Sequence, residues 1–384
     1  MNEQLQLKLN EAYYFLCLSG GLGGRICQSV FVRELIRKRK EENNHTAPII
    51  VIDSSILGQQ IAEALKDQNV FSLQVAESPT TWPHNPGLMT YNGAIEHPLW
   101  IPQWYENYKS NSLSVYDIIN KNWKRSYSIE YGFSLTKMIN LSKHKDEKES
   151  FICYHYGKVM GLPYTGGIPM LKMTQFNKEL NVFINNLSKP FVLIHLGVDL
   201  NPNDLVNSIN YRFFKIWSLQ HWVELAEKLK DKYEFVQIYA NEINPELPGI
   251  KSIKVNNLNP VLQLLSSSKC KLFVSIDNFL PHLASSIKKP GVVLWSNVSP
   301  FVWSWNLKYH SVPHFPVYNR HSCPEIFCWR PNVFDSSSGP QGKNWICQNS
   351  YNCMKSITVK QVLNKIEEVE EWISKNKDKN LLTL

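Results

Sequence analysis

The sequence predicts an α/β protein of two Rossmann-like halves, each a parallel sheet covered by helices. Three observations carry this. Short β-rich apolar runs alternate with amphipathic stretches, the pattern of doubly wound sheets. The runs are continuously apolar, as parallel strands buried on both faces should be. The alternation occurs twice, on either side of NNLSKP at 185–190, in a chain of 384 residues, long enough for two domains.

The first strand is Tyr13–Leu18, followed by a Gly-rich turn and a helix from about Cys27 to Lys40. Strand Pro48–Asp53, helix Leu57–Lys66 and strand Phe71–Val75 complete a β-α-β-α-β unit. Residues 79–150 are dense in Pro, Trp and Tyr and read as an inserted set of loops and short helices, with a solvated loop at 142–150. The second alternation runs through strand Phe191–Gly197, helix Leu219–Lys230, strand Glu234–Ala240, helix Pro260–Ser267, strand Leu272–Ile276, helix Leu280–Ile287 and strand Gly291–Trp295. Thr358 and Gln361 then fit a capping box, and Val362, Ile366, Val369 and Ile373 lie on one face of a terminal helix. The expected domains are 1–187, carrying the insertion at 79–150, then 188–355, and a C-terminal helical segment at 356–384.

Composition narrows the function. With 43% apolar and 19% charged residues the chain is not intrinsically disordered. Its net charge of +8 suits an anionic partner such as a nucleotide diphosphate or a membrane surface but is too diffuse for a nucleic-acid footprint. No apolar run nears the ~20 residues of a membrane span. The acidic N-terminus lacks the basic start of a signal peptide. A cytoplasmic protein is expected, with peripheral contact at the inner membrane left open. There the eight cysteines are not expected to pair as disulfides. Cys17, Cys27, Cys153 and Cys270 read as buried thiols in apolar or helical surroundings.

Four motifs carry chemistry. Ser19–Arg25, SGGLGGR, sits between a strand and a helix, where glycines allow close backbone approach to an anion or sugar. It also reads as a tight turn with no ligand. It is not a GxGxxG, which argues against a dinucleotide dehydrogenase. At the end of a strand, Asp277 leads into Asn278–Leu280, whose amides are placed to meet a diphosphate at a sheet's carboxyl edge. The alternative makes Asp277 a helix cap and His282 a packed core histidine. Within Arg212–Trp217, Lys215 is a cation suited to a leaving phosphate, or else a surface charge beside core Trp217 and Trp222. Cys323, Cys328, Cys347 and Cys353 are spaced as four thiolate ligands of a structural metal, iron or zinc, or as reduced thiols packing a loop.

Taken in order, the Gly-rich start, Lys215-x-Trp217 with Trp222, and Asp277…His282-Leu283-Ala284…Lys289-Pro290 resemble glycosyltransferase family 9, the heptosyltransferases. The resemblance implies the GT-B fold: two Rossmann-like domains facing across a cleft, with a C-terminal helix crossing back. It implies inverting transfer of heptose from ADP-heptose without a catalytic metal. Lys215 would contact the donor diphosphate, and Asp277, Asn278, Phe279 and Leu280 would form the phosphate turn, with His282 beside it. The implied donor-binding set is completed by Gly23, Gly24, His195 and Glu242, the last a ribose-binding acid. The family's usual Gly-Leu-Gly-Asp reads Gly-Leu-Gly-Gly here, so Gly24 stands where its base would be. Glu96, His97, Asp117 and Glu130 in the aromatic insertion are substitute carboxylates or bases, Glu96 foremost. The Cys segment resembles the iron-holding finger of the autotransporter heptosyltransferase branch, with different spacing. The expected partners are a nucleotide-sugar donor and a glycan (lipopolysaccharide core) or protein acceptor, with no nucleic acid; oligomerisation stays open. A non-catalytic sugar- or nucleotide-binding member of the same fold, and a nicotinamide-dependent oxidoreductase, are the rival readings.

Overall fold

The computed structural model describes residues 14–18, 21–53, 55–74, 126–128, 146–197, 215–240, 247–323, 327 and 352–376. The chain divides into two compact units, one of 1–141 with 149–174, the other of 142–148 with 175–384.

In the first unit, β1 (Tyr14–Cys17), β2 (Ile49–Asp53), β3 (Val70–Gln74) and β4 (Ser126–Ser128) form a sheet in the order β3-β2-β1-β4. Every pairing is parallel, with Tyr14 opposite Ile49 and Ile49 opposite Val70. β2 is buried along its whole length, which is why its sequence, IIVID, lacks alternation. β4 lies within the insertion expected to hold only loops and short helices.

The helix expected from Cys27 to Lys40 is two helices, α1 (Leu22–Gln28) and α2 (Phe31–Glu41). Ser29 separates them: its hydroxyl donates back to the Ile26 carbonyl at 2.6 Å. Such back-bonding competes with the helical ladder. α3 (Leu57–Ala64) covers β2 and β3. α4 (Ile152–Met160), unforeseen in the sequence, packs on α1 and ends at Gly161, whose φ of +66° favours glycine. Buried Glu34 of α2 ties down the following segment by accepting from the Thr165 amide at 2.9 Å and hydroxyl at 2.7 Å.

The second unit starts with α5 (Lys178–Asn185), capped by the Asn177 side chain. Its strands are β5 (Phe191–His195), β6 (Glu234–Tyr239), β7 (Lys251–Lys254), β8 (Cys270–Ile276), β9 (Gly291–Leu294) and β10 (His314–Val317). They form an all-parallel sheet in the order β10-β9-β8-β5-β6-β7. NNLSKP, read as the linker, is pinned to this unit. Lys269 Nζ donates to the Asn185 and Leu187 carbonyls at 2.8 and 2.7 Å, and Glu234 accepts from the Lys189 amide at 3.1 Å.

The helices α6 (Leu219–Leu229), α7 (Leu258–Ser266) and α8 (Phe279–Ser285) lie between the strands, and α9 (Pro300–Trp303) and α10 (Leu307–His310) follow β9. After α11 (Asn352–Lys355), α12 (Val359–Lys375) begins at the expected Thr358–Gln361 capping box. Its stripe of Val362, Ile366, Val369 and Ile373 is buried in the second unit's core with Val192, Trp217, Leu272 and Leu294. Gly291 opens β9 because the Phe273 ring occupies the place of a side chain: a Cβ there would lie 2.2 Å from it. Among the described residues no helix is long and apolar enough to cross a membrane.

Candidate functional site

The second sheet fixes where a ligand can bind. The chain steps outward from β5 through β6 to β7, then returns to the other side of β5 with β8 and steps outward again. Strand order therefore reverses between β5 and β8. Ligands of open parallel sheets bind outside the carboxyl ends of the strands at such a point. His195 ends β5, and Asp277 follows directly on β8.

Two pairs of side chains meet there, Lys215 with Asp277 and Asn278 with His195. Lys215 Nζ forms an ion pair with the Asp277 carboxylate and donates to the Asp277 main-chain oxygen at 3.3 Å. The chain is anchored two residues after the lysine, where the Trp217 indole N–H donates to the Ile357 carbonyl at 2.8 Å, fully buried. Trp217 also stacks edge-on against Trp222, with centroids 5.0 Å apart. So both tryptophans are core residues, as the plain reading has it, while Lys215 is only partly exposed and already paired.

Asn278, not Asp277, caps α8: its Oδ1 accepts from the Leu280 amide at 2.9 Å. Its Nδ2 reaches His195 Nδ1 at 2.7 Å and donates to the Gly197 carbonyl at 3.2 Å. The Phe279 ring lies edge-on to His195 at 5.0 Å. Asp277 is thereby left to Lys215. Since Asn278 takes the Leu280 amide, the last amide of the Asn278–Leu280 turn is already bonded to a side chain.

His282 is buried, one helical turn further on. The Trp305 indole N–H donates to its Nδ1 at 3.1 Å, and the Trp303 ring stands 6.2 Å away. This is the geometry of a packed core histidine. Trp305 was not foreseen as its partner, and nothing at their separation in sequence signals it.

In the first unit, Gly21 precedes α1, and Gly23 and Gly24 lie in its first turn rather than in a loop. A Cβ on Gly24 would come 3.3 Å from the hydroxyl of Tyr156, on α4. Next to it, Arg25 Nη1 donates to Asp53 Oδ1 at 2.6 Å, and Asp53 is almost fully buried. Asp53 also accepts from the Ser55 amide at 2.9 Å. The pair fastens α1 to the carboxyl end of β2. Sequence reasoning missed it, although a lone Asp closing the apolar run IIVID was the available signal.

Cys27, Cys153 and Cys270 are buried, as expected, and burial pushes the thiols of Cys153 and Cys270 up from the ordinary range. Cys323 and Cys353, thirty positions apart, join one buried cluster with Phe327, against Phe301 and Tyr318. Two of the four candidate ligands thus share an apolar aromatic cluster, the packing expected of reduced thiols. Among the described residues no group of three or more ligating side chains comes together. Cys328, Cys347, Glu96, His97, Asp117, Glu130, Glu242, Ser19, Gly20 and Arg212–Phe214 lie outside the described residues.

No family model matches the sequence, and no curated protein does. Solved structures do. The chain is similar to the dodecameric iron-containing heptosyltransferase TibC, solved with ADP-D-beta-D-heptose, at 14% identity and TM-score 0.55, over 94% of this chain and 77% of that one. A second structure of TibC, from enterotoxigenic E. coli, matches at 15% identity and the same TM-score of 0.55, again over 94% and 77%. A glycosyltransferase family 9 protein from Veillonella parvula matches at 15% identity and TM-score 0.51, over 94% of this chain and 97% of that one. The two parallel sheets, the switch point and these likenesses together give the chain the GT-B fold of the family 9 heptosyltransferases, the family its Lys215–Trp217 and Asp277–His282 elements resemble.

Proposed function

We propose that this protein is an inverting glycosyltransferase that moves a heptose or related sugar from a nucleotide-diphosphate donor, ADP-heptose foremost, to a glycan or protein acceptor. The observation that carries the reading is a paired lysine, Lys215, held by Asp277 at the switch point of a sheet whose fold is that of a protein solved with ADP-heptose. A cation there meets the charge that grows on a departing diphosphate.

The step is a single displacement. The acceptor hydroxyl oxygen bonds to the anomeric carbon on the face opposite the diphosphate. The carbon–oxygen bond to the diphosphate breaks, and its electron pair leaves with the phosphate oxygen. The hydroxyl proton passes to a carboxylate, for which Glu96 is proposed. Lys215 turns from Asp277 towards the diphosphate, with Asp277, Asn278, Phe279 and Leu280 as its cradle and Glu242 on the ribose. Gly23 and Gly24 complete the donor site beside the loop that the acceptor crosses, and His282 supports the turn from the core.

No catalytic metal is needed for this chemistry. We assign Cys323, Cys328, Cys347 and Cys353 to a structural iron or zinc. TibC is iron-containing and dodecameric, which supports a metal and an assembly here. Cytoplasmic placement, with the acceptor reached at the inner membrane, completes the reading.

One observation favours a second reading. Gly24 carries no proton acceptor, and a non-catalytic nucleotide- or sugar-binding protein would tolerate that. Donor turnover by the purified chain separates the two. Release of ADP from ADP-heptose supports transfer; binding without turnover, unchanged in Gly24→Asp, supports the binding protein. Nucleotide retained near Gly21–Gly24 with Lys215 irrelevant would favour an oxidoreductase instead.

A further inference from the structure

We infer that the amino-terminal edge of the second sheet is a lysine-rich surface that adsorbs to an anionic lipid layer. The inference gives the inner-membrane placement a named surface, and it does not depend on the donor-site reading of Lys215 and Asp277.

All strands of this sheet are parallel, so all begin at one edge. Lys189 lies two residues before β5, Lys232 two before β6 and Lys269 one before β8. Lys288 and Lys289 lead into β9, Lys230 caps the end of α6, Lys251 opens β7 and Lys271 is the second residue of β8. From β9 through β8, β5 and β6 to β7 is four strand spacings, about 19 Å at ~4.8 Å each. Eight lysines stand along that row.

The acids there do not balance them. Glu227, Glu370 and Glu234 take Lys230, Lys232 and Lys251 as ion pairs, and Asp231 sits between the first two lysines in sequence. Eight lysines against these four carboxylates leave a net charge of +4. Among the described residues the other five lysines pair with no carboxylate. Three of them donate to main-chain carbonyls: Lys189 to Lys230 at 2.7 Å, Lys269 to Asn185 and Leu187 at 2.8 and 2.7 Å, and Lys289 to Cys270 at 2.9 Å. A carbonyl fixes an ammonium at the edge without neutralising it.

The pattern fits headgroups better than a shaped ligand. An ammonium is a point charge that needs no matched geometry, unlike the fork of an arginine. Charges strung along a sheet edge, rather than gathered round a point, meet a layer of anions. Each lysine near such a layer strengthens binding about fivefold. Beside the row, Val182 of α5, one turn before the Asn185 that Lys269 holds, is 58% exposed and gives the contact an apolar residue. The donor site is at the opposite edge, since β8 with its seven residues spans about 23 Å.

The test is flotation of the full chain with vesicles of phosphatidylcholine, alone or mixed with phosphatidylglycerol. Lys271 and Lys288 make no side-chain bond among the described residues, and Lys288 has a φ of +52°, which glycine adopts freely. Lys271→Gln/Lys288→Gly therefore removes two charges and spares the fold, as circular dichroism would confirm. The chain should float with the mixed vesicles only, and should release them at ~1 M salt, where the Debye length is about 3 Å. The double variant should bind them about 30-fold more weakly, and Lys271→Glu/Lys288→Glu more weakly still. No binding to mixed vesicles, equal binding to both kinds, or undiminished binding by the double variant overturns the inference. So does a double variant that keeps its vesicles but changes its mass in light scattering, which would make the edge a contact between copies. Titration with ADP reads the donor site separately: an unsubstituted chain that floats but binds no ADP would sink the donor-site reading and leave this surface standing.

Discussion

Replacing Lys215 with alanine should remove nucleotide binding. In the structure its ammonium is shared with Asp277, and the two side chains are 18% and 9% exposed. An arriving diphosphate replaces that partner with oxygens of higher charge. A hydrogen bond to a charged group is worth about 1.5–3 kcal/mol, and that much is lost with the ammonium. The variant also leaves the Asp277 carboxylate facing the phosphates. Like charges about 4 Å apart repel by roughly 4 kcal/mol at an effective dielectric of about 20, and partial exposure reduces that to roughly half at physiological salt. The sum is about 3–5 kcal/mol, or upwards of 100-fold in Kd. Titration calorimetry with ADP measures it, with circular dichroism to confirm the fold. Lys215→Ala/Asp277→Ala removes the repulsion of about 2 kcal/mol and should recover about 30-fold. A loss of twofold or less in the single variant would refute the donor-site assignment.

Other outcomes follow from the same structure. Asp53→Ala removes the carboxylate paired with the Arg25 guanidinium beside the first glycine-rich turn and should cost about 1.5–3 kcal/mol in urea unfolding of that unit, whereas Ser55→Ala should cost much less. Burial, helped by Lys148 at one and His282 at the other, holds His310 at about 4 and His314 at about 3, against an ordinary value of 6.5. These folded-state values are depressed for a base, so the unfolded chain binds more protons below 6.5. Their stabilisation is complete above that pH and lost as pH falls towards 4, by about 2 kcal/mol per histidine at pH 5. A melting temperature flat between pH 7 and 5 would contradict it. Elemental analysis should find about one iron or zinc per chain, lost in Cys328→Ser, if four thiolates close one site. Gly291→Ala must displace the Phe273 ring and should lower the melting temperature by several degrees, an overpacking cost of about 1–3 kcal/mol.

The sheets were legible because β2, β5, β8 and β9 are buried on both faces, and a short, continuously apolar run between turn signals is seldom anything but such a strand. β7 was not: KSIK is half exposed at an edge and carries two lysines. α4 was missed because Cys153, His155, Tyr156 and Gly157 interrupt its buried face, leaving Ile152, Val159 and Met160 too few and too widely spaced to read as an aliphatic stripe. At the site, Lys215 and Asp277 were found as types, but their pairing spans 62 positions and no local pattern encodes it. The choice of Asn278 over Asp277 as cap could not be read either, since both are good caps and only the position of Lys215 decides between them.

The indole of Trp217 has a consequence for how this protein would fail. Its bond to the Ile357 carbonyl ties the residue two places after Lys215 to the chain just ahead of α12. The last helix is thus a handle on the segment that carries Lys215. A break in the chain ahead of α11 would leave this handle attached only by non-covalent contacts, its apolar stripe and the bonds of Lys232 and Tyr233 to Glu370 among them. Losing it would set Trp217 loose first and blunt donor affinity well before the sheet itself melts.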